Sequence, residues 1–172
     1  MLKQGTTAAL FFLLSLPVFA EQNTNRIHIN VPIASVYQYI TQPDKWHDWF
    51  PHSKSAKTPG GSLVKGQAFS ELVTVNKQDS LFDYTVIEAQ APSVWRVEFT
   101  SKSIIGSIQY QLQETIDGTL LTRSLEYFPV PKNKEEQLIL AKLAMQVQPT
   151  SIKALLQLRK NLEAAWEASS NL

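Results

Sequence analysis

The stretch INVPIASVYQYITQPDKWHDWFP, residues 29–51, changes its hydrophobic period twice between prolines. It opens on the end of an alternating run, since over residues 26–31 Ile27, Ile29 and Val31 take turns with Arg26, His28 and Asn30. A period of two predicts a strand with one face buried, and Pro32 ends it. Residues 34–40 then place Val36, Tyr37 and Ile40 at helical spacing. The helix must stop near Gln42, because a residue before proline resists the helical region. Asp44 is positioned to cap a second short helix over residues 45–50, and Pro51 halts it. On that helix Trp46 and Trp49 stand three apart with Phe50 one further on, so the three rings share a face. The plain reading packs this face beneath the open end of a sheet, where removing either indole would cost about 3–5 kcal/mol. The alternative is a ring cluster that grips a ligand.

Downstream, residues 70–75, 81–89, 94–101, 105–116 and 120–128 are rich in β-branched and aromatic side chains. Turn residues separate them, among them Gly60-Gly61, Ala91-Pro92 and Asp117-Gly118. Asp-Gly between two alternating runs is a hairpin signal, and consecutive strands with short turns make an antiparallel meander. After Pro129-Val130-Pro131 the period becomes helical. Asn133 with Glu136 reads as a capping box. Leu138, Ile139, Leu143 and Val147 follow at helical spacing, and Pro149 should break or kink the run. Ile152, Leu155, Leu156, Leu162, Ala165 and Trp166 carry an apolar stripe onward, which needs a large apolar surface to lie against. Residues 137–145 are open to two readings. They are either a lid whose Leu138, Ile139 and Met145 face a ligand, or simply the start of the core helix.

At 172 residues the chain is sized for one domain, and at 44% hydrophobic and 18% charged it can build a core. Residues 1–20 read as a secretory signal, with Lys3, an apolar run and a Val-Phe-Ala cleavage site ending at Ala20. The alternative is an uncleaved anchor, although the run is short for a membrane span. Residues 21–25 read as a polar leader. Cysteine is absent, which excludes disulfides, thiol catalysis, thiolate metal sites and lipid attachment to cysteine. The chain carries 16 Lys and Arg against 15 Asp and Glu, and loss of Lys3 with the signal would balance the two. Nothing resembles a basic stripe for phosphates, so no nucleic-acid partner is expected.

The chemistry-bearing residues form no recognised catalytic motif. There is no G-x-S-x-G elbow, P-loop or H-E-x-x-H. With three histidines, at 28, 47 and 52, and no ligand spacing among them, no metal is expected. Alternation directs Phe82, Tyr84, Val86 and Glu88 to one face of their strand, Trp95, Val97 and Phe99 to another, and Ile108, Tyr110, Leu112 and Ile116 to a third. Arg123 lies between Leu121 and Leu125, which points it inward. A buried arginine needs a partner, for which Glu71, Glu88, Glu98, Glu114 or a ligand carboxylate would serve. Alternatively Arg123 sits at the outer lip and reaches water. Arg96 and Glu98 read as a solvent face.

Residues 29–51, the hairpin ETIDGTLLTRSLEY (residues 114–127) and the terminal helix, taken in this order, resemble the START-like helix-grip superfamily (SRPBCC), in particular its polyketide cyclase/dehydrase and lipid-transport group. The resemblance spans residues 26–168. It implies an α+β fold in which a curved antiparallel sheet wraps a long C-terminal helix, with two short helices after the first strand. It also implies a cavity between sheet and helix for a sterol, lipid, polyketide or other bulky apolar molecule. Members of the superfamily include both enzymes and carriers, so fold alone does not settle the activity.

On this reading Tyr84, Trp95, Phe99, Tyr110, Leu112, Arg123, Leu125 and Leu155 are the candidate ligand-binding residues, with Arg123 or Tyr84 orienting a head group. No cofactor is expected, and no catalytic residue is assigned. The expected partner is a small hydrophobic or amphipathic molecule, with transient membrane contact in a periplasmic or secreted setting. The alternatives are a cyclase/dehydratase-type enzyme in the same cavity, and an interaction domain with a filled core.

Overall fold

A computed structural model describes residues 21–75 and 78–170. The signal segment proposed for residues 1–20 lies outside the described residues. Seven antiparallel strands form one sheet: β1 (Glu21–Ile29), β2 (Ser53–Lys57), β3 (Ala68–Val75), β4 (Gln78–Gln90), β5 (Val94–Thr100), β6 (Ile104–Thr115) and β7 (Gly118–Pro129), in the spatial order β1-β7-β6-β5-β4-β3-β2. Helix α1 (Ile33–Ile40) and a 3-10 helix (Pro43–Asp48) join β1 to β2, and helix α2 (Lys134–Ser170) closes the chain. This is the α+β helix-grip architecture expected from the sequence.

Several features differ from the sequence reading. Strand β1 begins at Glu21, so the supposed polar leader pairs with β7 from Glu21 opposite Tyr127 to Ile29 opposite Thr119. Backbone pairing asks nothing of side-chain hydrophobicity, and Asn23 and Asn25 spend their amides on Gln148 of α2. Strand β2, SKSAK, gives no hydrophobic period because it is an edge strand with mostly exposed side chains, two of them lysines that discourage further pairing. The 3-10 helix starts at Pro43, which places Asp44 inside its first turn without a capping bond. A bulge between Val86 and Glu88 reverses the alternation of β4, so Ala89 rather than Glu88 pairs with inward-facing Trp95.

The Asp117-Gly118 turn joins β6 to β7 as its sequence predicts, but Ile116 belongs to that turn and is fully exposed instead of facing inward. Gly118 has φ +151°, and a Cβ there would come 2.2 Å from the Ile29 carbonyl oxygen, so glycine is required where the turn crosses β1.

Helix α2 runs on through Pro149. At its start the Asn133 side chain accepts the Glu136 N–H at 2.8 Å, and the Glu136 carboxylate returns to the Lys132 N–H at 2.6 Å and to Ser103 Oγ. This is a close variant of the capping box. The two halves of the helix differ. Beyond Pro149, Ser151, Ala154, Leu155, Leu158 and Leu162 are buried, whereas before it Leu140 is the sole buried residue. Leu138, Ile139 and Met145 are exposed, so they do not form the inner face of a lid. Ile152, Leu156 and Trp166, expected on the buried stripe, are also exposed.

Trp46 sits at the centre of the plug beneath the sheet. Its ring meets Trp49, Phe69, Tyr84 and Trp95 edge-on at centroid distances of 5.4–6.1 Å, and its Nε1 donates to the Ile40 carbonyl at 2.9 Å. With its donor satisfied, the indole fills space without a buried polar cost.

Candidate functional site

Because sheet side chains alternate, the concave face receives every second residue of each strand. Glu71 and Val73 come from β3, Phe82 and Tyr84 from β4, Phe99 from β5, Ile108 and Tyr110 from β6, and Arg123, Leu125 and Tyr127 from β7. The first part of α2 roofs this face with Leu140, Leu143, Ala144 and Val147, and continues past Pro149 with Thr150 and Ser151. Trp46, Trp49, Phe50 and His52 complete the wall. Between sheet and roof lies a cavity of about 170 Å³, partly open to solvent and mostly apolar.

Five of the eight candidate residues line it: Tyr84, Phe99, Tyr110, Arg123 and Leu125. Trp95, Leu112 and Leu155 do not. Trp95 is wholly buried, donates Nε1 to the Leu63 carbonyl at 3.1 Å and packs edge-on against Trp46. Leu112 and Leu155 are packed core residues. They share inward faces with the lining residues, but the plug around Trp46 occupies the space that alternation alone would leave open. The Trp46, Trp49 and Phe50 cluster therefore packs as scaffolding and also supplies wall to the cavity. Glu71 could have been singled out from its place between Phe69 and Val73 at a period of two. The lining residues of α2 carry no such signal, since a helix's rotation against a sheet is set by contacts far apart in sequence.

Gly106 also shapes the wall. It pairs with Phe99 on one side and Tyr127 on the other, and an added Cβ would stand 2.7 Å from the Phe99 ring. The absent side chain gives Phe99 its room.

Two charged residues face this apolar space. Arg123 points inward and is 5% exposed, which settles its orientation. Its Nε donates to the Tyr110 hydroxyl at 3.4 Å and its Nη1 to Ser151 Oγ at 3.2 Å, with the Tyr110 ring centroid 5.9 Å from the guanidinium carbon. Both bonded partners are neutral, and Arg123 makes no ion pair among the described residues. Glu71 is fully buried. Its Oε2 accepts the Tyr84 hydroxyl at 2.8 Å, and its Oε1 has no hydrogen-bond partner. Ser53 Oγ stands beside the carboxyl but outside bonding geometry. Burial raises the Glu71 pKa above its ordinary value, and Ser53, Tyr84 and the positive charge of Arg123 offset part of that rise. Burial also raises the hydroxyls of Tyr84 and Tyr110.

The histidines are separated. His28 bonds Thr115 at 2.9 Å and pairs with Asp117 at 3.0 Å, while His47 pairs with Asp48 at 3.2 Å. His52 lines the cavity, 6.0 Å from the Phe50 ring and 3.5 Å from Thr150 Oγ1. Among the described residues no three acidic or histidine side chains gather as metal ligands. No helix among them is long and apolar enough to cross a membrane.

Residues 22–163 match the family described as polyketide cyclase / dehydrase and lipid transport. A search of curated proteins finds no match. Among solved structures, a START superfamily protein of Mycobacterium smegmatis superposes with a TM-score of 0.60 at 14% identity, covering 86% of this chain and 97% of its own. A protein of Rhodobacter sphaeroides gives 0.63 at 16% identity over 83% of this chain and 93% of its own. One of Chromobacterium violaceum gives 0.57 at 18% over 83% and 96%. At these identities the likeness is one of fold.

Proposed function

The chain belongs to the polyketide cyclase / dehydrase and lipid transport family, and we propose that within it this protein is an exported binding domain for a small amphipathic molecule. The observation that carries this reading is the cavity itself: an apolar space open to solvent in a core that is otherwise closely packed. A void of this kind forfeits packing energy unless something occupies it. Each methylene that leaves water for it contributes about 0.8 kcal/mol. Arg123 and the Glu71–Tyr84 pair supply the few polar groups that orient a ligand in an apolar pocket. An interaction domain with a filled core is disfavoured by the same void.

Uptake would pass the first half of α2, the thinly buried part of the roof. Val130 and Lys132 just before the helix, and Lys134, Leu138, Ile139, Lys142 and Met145 on it, are exposed there beside Glu135 and Glu136. That mixture suits brief contact with an anionic membrane surface. Export to the periplasm or outside the cell is supported by the signal read in residues 1–20. Glu71 supports a second reading, in which the same cavity performs a cyclisation or dehydration. A buried carboxyl with a raised pKa facing a pocket is the kind of group a general acid requires.

The test is native mass spectrometry on protein expressed with its signal and recovered from the periplasm, beside a denatured sample. A reproducible added mass that leaves on denaturation, on a polypeptide beginning at Glu21, is the expected result. A polypeptide that retains residues 1–20, or one that carries no added mass and takes up none when incubated with total lipid extract, overturns the proposal.

A further inference from the structure

Arg123 is a permanent cation in a mostly apolar cavity, and nothing within bonding reach neutralises it. A guanidinium has five N–H donors in a planar fork. Two are used, on Tyr110 and on Ser151, and Nη2 makes no hydrogen bond among the described residues. Glu71, the one buried acidic side chain on this wall among the described residues, makes no ion pair with it and is bonded instead to Tyr84. Trp49, on the same wall, buries an indole N–H without a partner. The protein therefore offers surplus donors and one uncompensated positive charge. Taking such a charge out of water is costly unless it is paired. From this surface we infer that the ligand is an apolar monocarboxylate, whose carboxylate pairs with the free edge of Arg123 and whose apolar body lies along Phe99, Ile108, Leu125 and Leu143.

The inference deepens the carrier reading above and rests on it. One negative charge is the match, since Arg123 is the one Lys or Arg among the described residues that line the cavity. A carboxylate also suits the geometry, because two acceptor oxygens meet the planar fork edge-on as a neutral hydroxyl does not. The burial that raises the Glu71 pKa acts in the same direction, since a neutral Glu71 leaves Arg123 the net charge of the wall. An ionised Glu71 would make the wall neutral as a whole and favour a neutral ligand, the outcome that a comparison of acid with alcohol detects.

The experiment uses the mature chain and a neutral apolar fluorophore, N-phenyl-1-naphthylamine, displaced by decanoate, decan-1-ol or methyl decanoate. Decanoate is expected to displace at a concentration lower by about tenfold or more than either neutral analogue, the range of a hydrogen bond to a charged group. Arg123→Met should remove that preference, while Arg123→Lys keeps part of it. The comparison of the three ligands on the unaltered protein stands even if the variants fold poorly. Equal displacement by acid and alcohol, or preference for the alcohol, overturns the monocarboxylate and leaves the carrier reading standing. A fluorophore that does not bind, with no heat of binding for any of the three ligands by calorimetry, overturns both.

Discussion

Replacing Glu71 by glutamine should stabilise the protein at neutral pH and do little at pH 4. Glu71 is fully buried, with one carboxyl oxygen on the Tyr84 hydroxyl and the other bare. Its folded pKa lies above the ordinary glutamate value of 4.5, burial being the main cause. Between 4.5 and that raised value the folded protein holds the proton and the unfolded chain does not. The folded state then binds more protons, so unfolding free energy falls as pH rises, by about 1.4 kcal/mol for each unit of separation. Below 4.5 the protonated carboxyl costs nothing extra, and above the folded pKa the loss levels off. Glutamine keeps an acceptor for Tyr84 and never ionises. The variant should therefore gain on the wild type steadily from pH 4.5 upward and then hold its lead. Urea unfolding of both proteins at half-unit steps from pH 4 to 8 measures this, and contributions from other groups cancel in the difference. A difference that stays flat would mean that Glu71 ionises as freely in the fold as in water. A difference of opposite slope would mean that Arg123 holds Glu71 ionised across the cavity, and would refute the reasoning outright.

Two further outcomes test the frame of the site. Trp46→Ala removes the ring at the centre of four aromatic contacts and should cost about 3–5 kcal/mol in urea unfolding, while Trp166→Ala, on an exposed part of α2, should cost under about 0.5 kcal/mol; equal costs would mean that the plug does not close the sheet. Pro149→Ala restores a backbone donor inside α2 and should slow amide hydrogen exchange over residues 141–148, together with slower ligand release; unchanged exchange there would show that Pro149 does not loosen the roof.

Much of the architecture was legible in local pattern. Alternation marked the strands from β3 to β7, Asp117-Gly118 marked their last hairpin, and the switch to helical spacing after Pro131 marked α2. These signals are local because strand and helix periods come from the backbone, and a half-buried element repeats them in its own side chains. The parts that stayed hidden were those whose stability comes from a partner. The first residues of β1 are polar and become a strand through β7, and β2 becomes one through β3. The bulge at Val86 turned Glu88 outward with no mark in the sequence.

The candidate site divides in the same way. Alternation between Leu121 and Leu125 allowed Arg123 to point inward but left the outer lip open, and only its burial in the fold decided between them, whereas the inward aspect of Tyr84, Phe99, Tyr110 and Leu125 followed from alternation. Which inward residues meet open space and which meet packed core did not, and Trp95, Leu112 and Leu155 fell on the packed side. A cavity is what remains after every element has docked, and it depends on how far the Trp46 plug reaches and where α2 settles over the sheet. The pairing of Arg123 with Ser151, and its lack of pairing with Glu71, likewise come from that docking. By itself the sequence determined the order, period and inward faces of most of the elements. The tertiary structure alone decided the extent of the void and the lack of an ion pair for its arginine among the described residues, because both are sums over contacts between residues distant along the chain.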